Sequence, residues 1–186
     1  CSVVPPTHDV LRSSVRLCYA PEHMFVLGID PGLTRTGYGI VEVKGTTERA
    51  VAAGVIRTDP DLGTAERLVE LARDIESVLE DHAVDAAAIE QVFVNRNRNT
   101  AMAVARASGV IMAALAERGV PVSEYTPSQM KMAITGSGSA DKAQIEAVVA
   151  MRLSLGKVGG PADVADALGV ALCHSQHSGH LRRTAS

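Results

Sequence analysis

The sequence has no tryptophan, only two phenylalanines and three tyrosines, which excludes an interior built on aromatic stacking. Its core must come from Ala, Val, Leu, Ile and Met, and such a core suits helices packed on a sheet. Cysteine is also scarce. Cys1, Cys18 and Cys173 are scattered, odd in number and without CxxC spacing, which argues against a disulfide framework and against a zinc site. A reducing cytoplasm fits that usage. No apolar run approaches the roughly 20 residues needed to span a bilayer, and none has the shape of a secretory leader. The sequence therefore predicts a soluble, cytoplasmic protein with no membrane partner. Strong net charge is missing as well, since the balance is -3, and this alone does not announce a nucleic-acid binder.

The distribution of charge says more than the sum. Between Asp59 and Glu90 there are ten acidic and two basic residues, whereas between Gln91 and Gly160 there are four acidic and eight basic. The second half thus carries a local positive excess that permits a polyanionic partner, although any helical protein has charged faces.

With 186 residues the chain is long enough for one well-buried domain and short for two. Residues 1–23 show no sustained period and contain Pro5, Pro6 and Pro21, so they read as a disordered extension ahead of the fold. The domain is expected over 24–176, followed by a flexible basic tail at 177–186 that includes Arg182 and Arg183. Three strand-like runs, 25–30, 36–44 and 49–57, are joined by short turns at Pro31-Gly32 and Gly45 and predict an antiparallel meander. Residues 64–82 have apolar residues at helical spacing, and VDAAAIEQ at 84–91 reads as a parallel central strand. Residues 99–118 are apolar nearly all round, which predicts a helix that buries a second face against another layer or another subunit. A fifth strand at 121–125 precedes a short helical turn near 127–134. Next come a helix from Ala140 to Leu155 capped by Ser139, and a last helix from Pro161, at its first position, to about His174. This order predicts an α/β fold with a five-stranded mixed sheet and helices on both faces.

Two of the interior strands end on a carboxylate, Asp30 and Glu90, and in such sheets sites form at the carboxyl ends of central strands. The last helix opens GGPADVADALGVALCH, where Asp163 and Asp166, three apart, share a face. Asp30-Pro31-Gly32 also suits an ordinary turn, and acids in a first helical turn complement the helix dipole by about 0.3 to 1 kcal/mol each. Neither explanation covers all four acids together. Clustered carboxylates need cations, and no Lys or Arg adjoins any of the four in sequence. An all-oxygen, carboxylate-rich set suits Mg²⁺ or Mn²⁺. Two such ions would stabilise the attacking and leaving oxygens of a phosphodiester displacement.

The segments LGIDPGLTRTGYG, AAIEQVF, NRN, GSGSADKAQI and ADVADALGVALCH, in that order, resemble those of the RuvC Holliday junction resolvases, crossover junction endodeoxyribonucleases of the ribonuclease H-like fold. The resemblance runs from Met24 to about His174. It implies a ribonuclease H-like homodimer that nicks two like-polarity strands of four-way junction DNA symmetrically in recombination and repair. It also implies Mg²⁺ as cofactor, two ions per site with Mn²⁺ as substitute, and the branch-migration proteins RuvA and RuvB as partners. On it, Asp30, Glu90, Asp163 and Asp166 are catalytic metal ligands. Lys131 and Lys142 match basic positions near the cleft, Lys142 with a catalytic part in steadying transition-state charge, although a solvated helix lysine satisfies the same pattern. Phe93 matches an aromatic that touches bases at the opened junction, or else anchors a strand end in the core. Arg96 and Arg98 add backbone contacts to DNA or are plain loop charges. One departure stands out: ARASGV at 105–110 carries its basic residue at Arg106 where many relatives read GQARGV, which puts a DNA contact from that helix in doubt.

An actin-like ATPase or sugar kinase shares the GxDxG strand-turn, but the chain has no second lobe and no Gly-rich adenosine loop. A ribosomal-RNA-processing nuclease and an inactive junction-binding module are nearer alternatives. Full carboxylates at all four positions argue against inactivity.

Overall fold

The computed structural model describes residues 23–91 and 98–184. Strand β1 (His23–Asp30) pairs antiparallel with β2 (Arg35–Lys44), which pairs antiparallel with β3 (Thr47–Arg57). The β2–β3 connection turns at Gly45, whose φ of +59° suits a residue without Cβ. Helix α1 (Thr64–Asp81) leads to β4 (Ala86–Glu90), parallel to β1, and helix α2 (Arg98–Glu117) leads to β5 (Val122–Tyr125), parallel to β4. Helices α3 (Pro127–Thr135), α4 (Lys142–Arg152) and α5 (Ala162–Thr184) complete the chain. The sheet order is β3-β2-β1-β4-β5, the five-stranded mixed arrangement that the sequence predicts.

Alternation along the central strands divides the core in two. Leu27 and Ile29 of β1, Ile40 of β2, and Ala87 and Ile89 of β4 point to the face covered by α1 and α2, where they meet Leu71, Ile75, Ile111 and Leu115. Met24 and Val26 of β1, Val41 of β2 and Ala88 of β4 point the other way, into a cluster with α3, α4 and α5. Each fully buried Leu or Ile contributes about 1.5 to 3 kcal/mol relative to exposure, so a one-residue slip of β1 would forfeit both layers. Helix α5 is buried almost continuously from Val164 to Cys173, because it lies between the sheet and α3/α4. Arg152 at the end of α4 donates from Nε and Nη2 to the carboxylate of Glu48 on β3, at 2.9 and 2.7 Å. Ser175 on α5 donates to the same carboxylate at 2.7 Å, so three elements are tied at one point.

The structure corrects two boundaries and one reading of composition. Helix α4 starts at Lys142 and is capped by Asp141, not by Ser139: Asp141 Oδ1 accepts from the Gln144 amide at 2.9 Å, and Gln144 Oε1 accepts from the Asp141 amide at 3.0 Å. The Asp-x-x-Gln spacing makes that reciprocal cap, while Ser139 shares a hydroxyl contact with Ser137. Helix α5 begins one residue after Pro161 and continues to Thr184, past the predicted end at His174. No proline interrupts that stretch, and the hydroxyl of Ser178 donates to the backbone carbonyl three residues back. The third concerns α2. Asn99–Glu117 is long and apolar enough by composition to cross a membrane, contrary to the expectation that no run approaches that length. Yet Ala107, Ile111 and Leu115 are fully buried against the sheet and α1, the placement of a core helix, and its other face, with Met102, is exposed.

Candidate active site

The pleat that sorts the core also aims the two strand-end carboxylates. Asp30 follows Met24, Val26 and Gly28 at period two, and Glu90 follows Ala88, so both face α5. Ile29 pairs with Ile89 in the parallel β1–β4 ladder, which sets Asp30 and Glu90 side by side one residue further on.

Helix α5 reaches them because the strands beneath it are glycine at the points of contact. A Cβ on Gly28 would stand 2.0 Å from the Ala167 carbonyl oxygen, one on Gly39 would stand 2.6 Å from Leu168 Cδ2, and one on Gly37 would stand 2.1 Å from the Asp163 carbonyl oxygen. Gly28 pairs with Gly39 and Asp30 pairs with Gly37, so the glycines form a seat across β1 and β2. The helix lies on it backbone to backbone, and this brings Asp163 and Asp166 over the strand ends. Sequence reasoning missed the seat, although glycine at alternate strand positions in TGYG is a signal of close backbone approach.

The four carboxylates feel one another. Burial raises the pKa of Asp30 from its ordinary 3.8 to about 7, and repulsion from Glu90, Asp166 and Asp163 adds to it, while Lys142 pulls the other way. Glu90 is raised too, first by burial and then by Asp166, against the attraction of Lys142 and Lys131. Lys131 and Lys142 therefore lie in the field of the site.

The resemblance places Lys131 and Lys142 near the cleft, and the structure adds a cation that the sequence reading missed, Arg35. Arg35, the first residue of β2, donates from Nη2 to Asp163 Oδ2, and Lys142 Nζ donates to Asp166 Oδ2 at 2.9 Å. Arg35 escaped notice because it is 128 residues from its partner. With two carboxylates turned to these cations, no three Asp, Glu, His or Cys side chains among the described residues stand close enough together to hold one metal ion. The donor set nevertheless fits a hard divalent cation: four carboxylates, all oxygen, whose mutual repulsion helps drive one of them to hold a proton near neutrality. Phe93 and Arg96 lie outside the described residues. Arg98 opens α2.

Comparison with known proteins shows the family and the fold. Residues 26–174 match the family described as crossover junction endodeoxyribonuclease RuvC. A crossover junction endodeoxyribonuclease RuvC of Salinispora arenicola is 48% identical over 88% of this chain and 94% of its own. That of Rhodococcus opacus is 47% identical over 87% and 86%. Among solved structures, Thermus thermophilus RuvC superposes with a TM-score of 0.79 at 35% identity, covering 84% of this chain and 96% of its own. The same protein in complex with a Holliday junction substrate gives 0.79 at 36% identity, covering 83% and 94%.

Proposed function

The chain belongs to the RuvC family of crossover junction endodeoxyribonucleases, and from that premise we propose that it resolves four-way DNA junctions in recombination and repair by hydrolysing one phosphodiester bond in each of two like-polarity strands. The observation that carries this reading is the meeting of Asp30, Glu90, Asp163 and Asp166 on the α5 face of the sheet, with Asp30 raised to about 7 by burial and by the other three. Nucleases of the family depend on a metal. The finer assignment is Mg²⁺, two ions per site with Mn²⁺ as substitute, held by Asp30, Glu90, Asp163 and Asp166. Bound there, such ions supply Lewis-acid polarisation of the phosphate and activation of water.

The chain's own residues supply the rest. The glycine seat fixes the approach of α5 to the strand ends, so backbone contact brings the helix aspartates to the face of the strand carboxylates. Lys142, at the first position of α4, holds its ammonium at the rim of the site, where it can meet the negative charge that grows on a phosphate in the transition state. Lys131, in the field of Glu90, offers a second phosphate contact. Phe93 serves as a stacking wedge at the opened junction, and Arg96 and Arg98 contact the backbone.

A junction has two strands to cut, and the exposed face of α2, with Met102 at 55% exposure, suits a second copy of the chain that would provide the second site. RuvA and RuvB are the expected partners, and the cytoplasm, where chromosomal DNA is recombined, is the expected place. The test is a mobile four-way junction incubated with the protein, with and without Mg²⁺, and the nicks mapped. Paired, ligatable nicks that require Mg²⁺ and vanish in Asp30→Asn, with junction binding kept, are expected. Cleavage by Asp30→Asn at the wild-type rate would overturn the assignment.

A further inference from the structure

Arg35 is bound to one of the proposed metal ligands, so a metal that arrives there has a competitor. Its guanidinium pairs with Asp163, and both side chains are within reach of solvent, 42% and 27% exposed. A divalent ion on Asp163 would meet a guanidinium on the same carboxylate, so the two cations compete for it by repulsion. What the arginine would leave toward is also visible. Arg35 pairs with Arg57 across the β2–β3 ladder, which puts the two side chains on one face of the sheet. Arg57 has no ion pair among the described residues. Like charges directly opposite repel, and once Asp163 is taken only a new anion would relieve them. The base of Arg35 is fixed meanwhile: Arg67 donates to Thr34 Oγ1 at 2.7 Å and to Thr58 Oγ1 at 2.9 Å, bracing the β1–β2 turn against the end of β3.

We propose that Arg35 is an exchangeable counter-ion, which holds Asp163 in the metal-free protein and passes to a phosphodiester of the bound strand when a divalent cation takes Asp163, so that metal loading and grip on DNA are coupled. The inference rests on the metal site proposed above. A planar, always-charged fork that binds carboxylate and phosphate alike suits the exchange.

Two measurements test it, with the full chain and its variants Arg35→Ala and Arg35→Lys. Calorimetry with Mn²⁺ alone should show Arg35→Ala binding the ion roughly threefold to tenfold more tightly than wild type, because a competing cation is gone. Arg35→Lys should return the affinity to near the wild-type value. Anisotropy with a labelled four-way junction should give wild-type affinity for Arg35→Ala in EDTA, where Arg35 is occupied by Asp163, and about fivefold weaker binding in Ca²⁺. Unchanged or weaker Mn²⁺ binding by Arg35→Ala, a lysine variant that does not restore it, or an equal loss of junction affinity in EDTA and Ca²⁺ would overturn the proposal. Wild-type protein that takes up no Mn²⁺ would instead sink the metal site itself.

Discussion

Replacing Asp30 by Asn should make the metal-free protein more stable while removing its activity. In the folded chain the Asp30 carboxyl titrates at about 7 instead of 3.8, first because it is buried and then because Glu90, Asp166 and Asp163 repel its charge. The folded state therefore holds a proton that the unfolded state has already released, and stability falls as pH rises through this window. Below about pH 4 the carboxyl is protonated in both states and carries no penalty. Between about pH 4 and pH 7 the penalty grows, and above about pH 7 it is complete. Ionising a carboxyl that titrates at about 7 in the fold and at 3.8 outside it costs about 4 kcal/mol as an upper value, at about 1.36 kcal/mol for each pH unit between the two midpoints. Asparagine, which is neutral at every pH, does not incur that cost. For a domain of this size the difference corresponds to a rise in Tm of roughly 8 to 16 °C if fully realised. The assay is thermal unfolding of both proteins in EDTA at about pH 4.5, 6 and 8, which bracket the window. The gap between them should be small at the first pH and widest at the last. Saturating Mg²⁺ should then raise the wild type far more than the variant, closing the gap. A gap that does not change with pH, or a variant less stable than wild type at the highest pH in EDTA, would refute the claim that repulsion and burial act on this carboxylate.

Other consequences follow from the same contacts. Gly28→Ala places a Cβ 2.0 Å from the Ala167 carbonyl; it should cost on the order of 3 kcal/mol in urea denaturation and abolish cleavage, since α5 must lift with both of its aspartates. Arg152→Ala leaves the Glu48 carboxylate with only Ser175 as partner and should lower stability by about 1 to 3 kcal/mol with little change in cleavage by the folded fraction, as measured by denaturation and by rates per active site. The Cys173 thiol is pushed up to about 11 by burial; at about pH 8 iodoacetamide should spare it in the native protein and modify it in urea, with peptide mass spectrometry as the readout.

What the sequence disclosed was whatever is local along the chain. Short apolar runs gave β1 and β4 and the carboxylate at the end of each, and the pleat of the strands then places Asp30 and Glu90 on one face. Spacing of three gave the shared face of Asp163 and Asp166. The hidden features depend on partners far away in the chain. Arg35 looks like a loop charge until β2 is laid beside α5, and Lys142 looks like a solvated lysine until the cap at Asp141 fixes the start of α4 opposite Asp166. The end of α5 is hidden for a related reason: its apolar stripe stops near His174, but Ser178 satisfies its hydroxyl within the helix and no proline stops the chain.

Glycine and carboxylate turn out to be parts of one constraint. A helix bearing two aspartates approaches a strand bearing a third only if the backbones touch, and they touch only where side chains are absent, at positions 28, 37 and 39. Closeness is also what makes the acids repel, so the geometry that gathers the carboxylates costs stability. Arg35 and Lys142 offset part of that cost from the rim, one on each helix aspartate, while none of the ion pairs among the described residues includes Asp30. The site is thus least neutralised at the end of the central strand, where Asp30 meets Glu90 beneath α5.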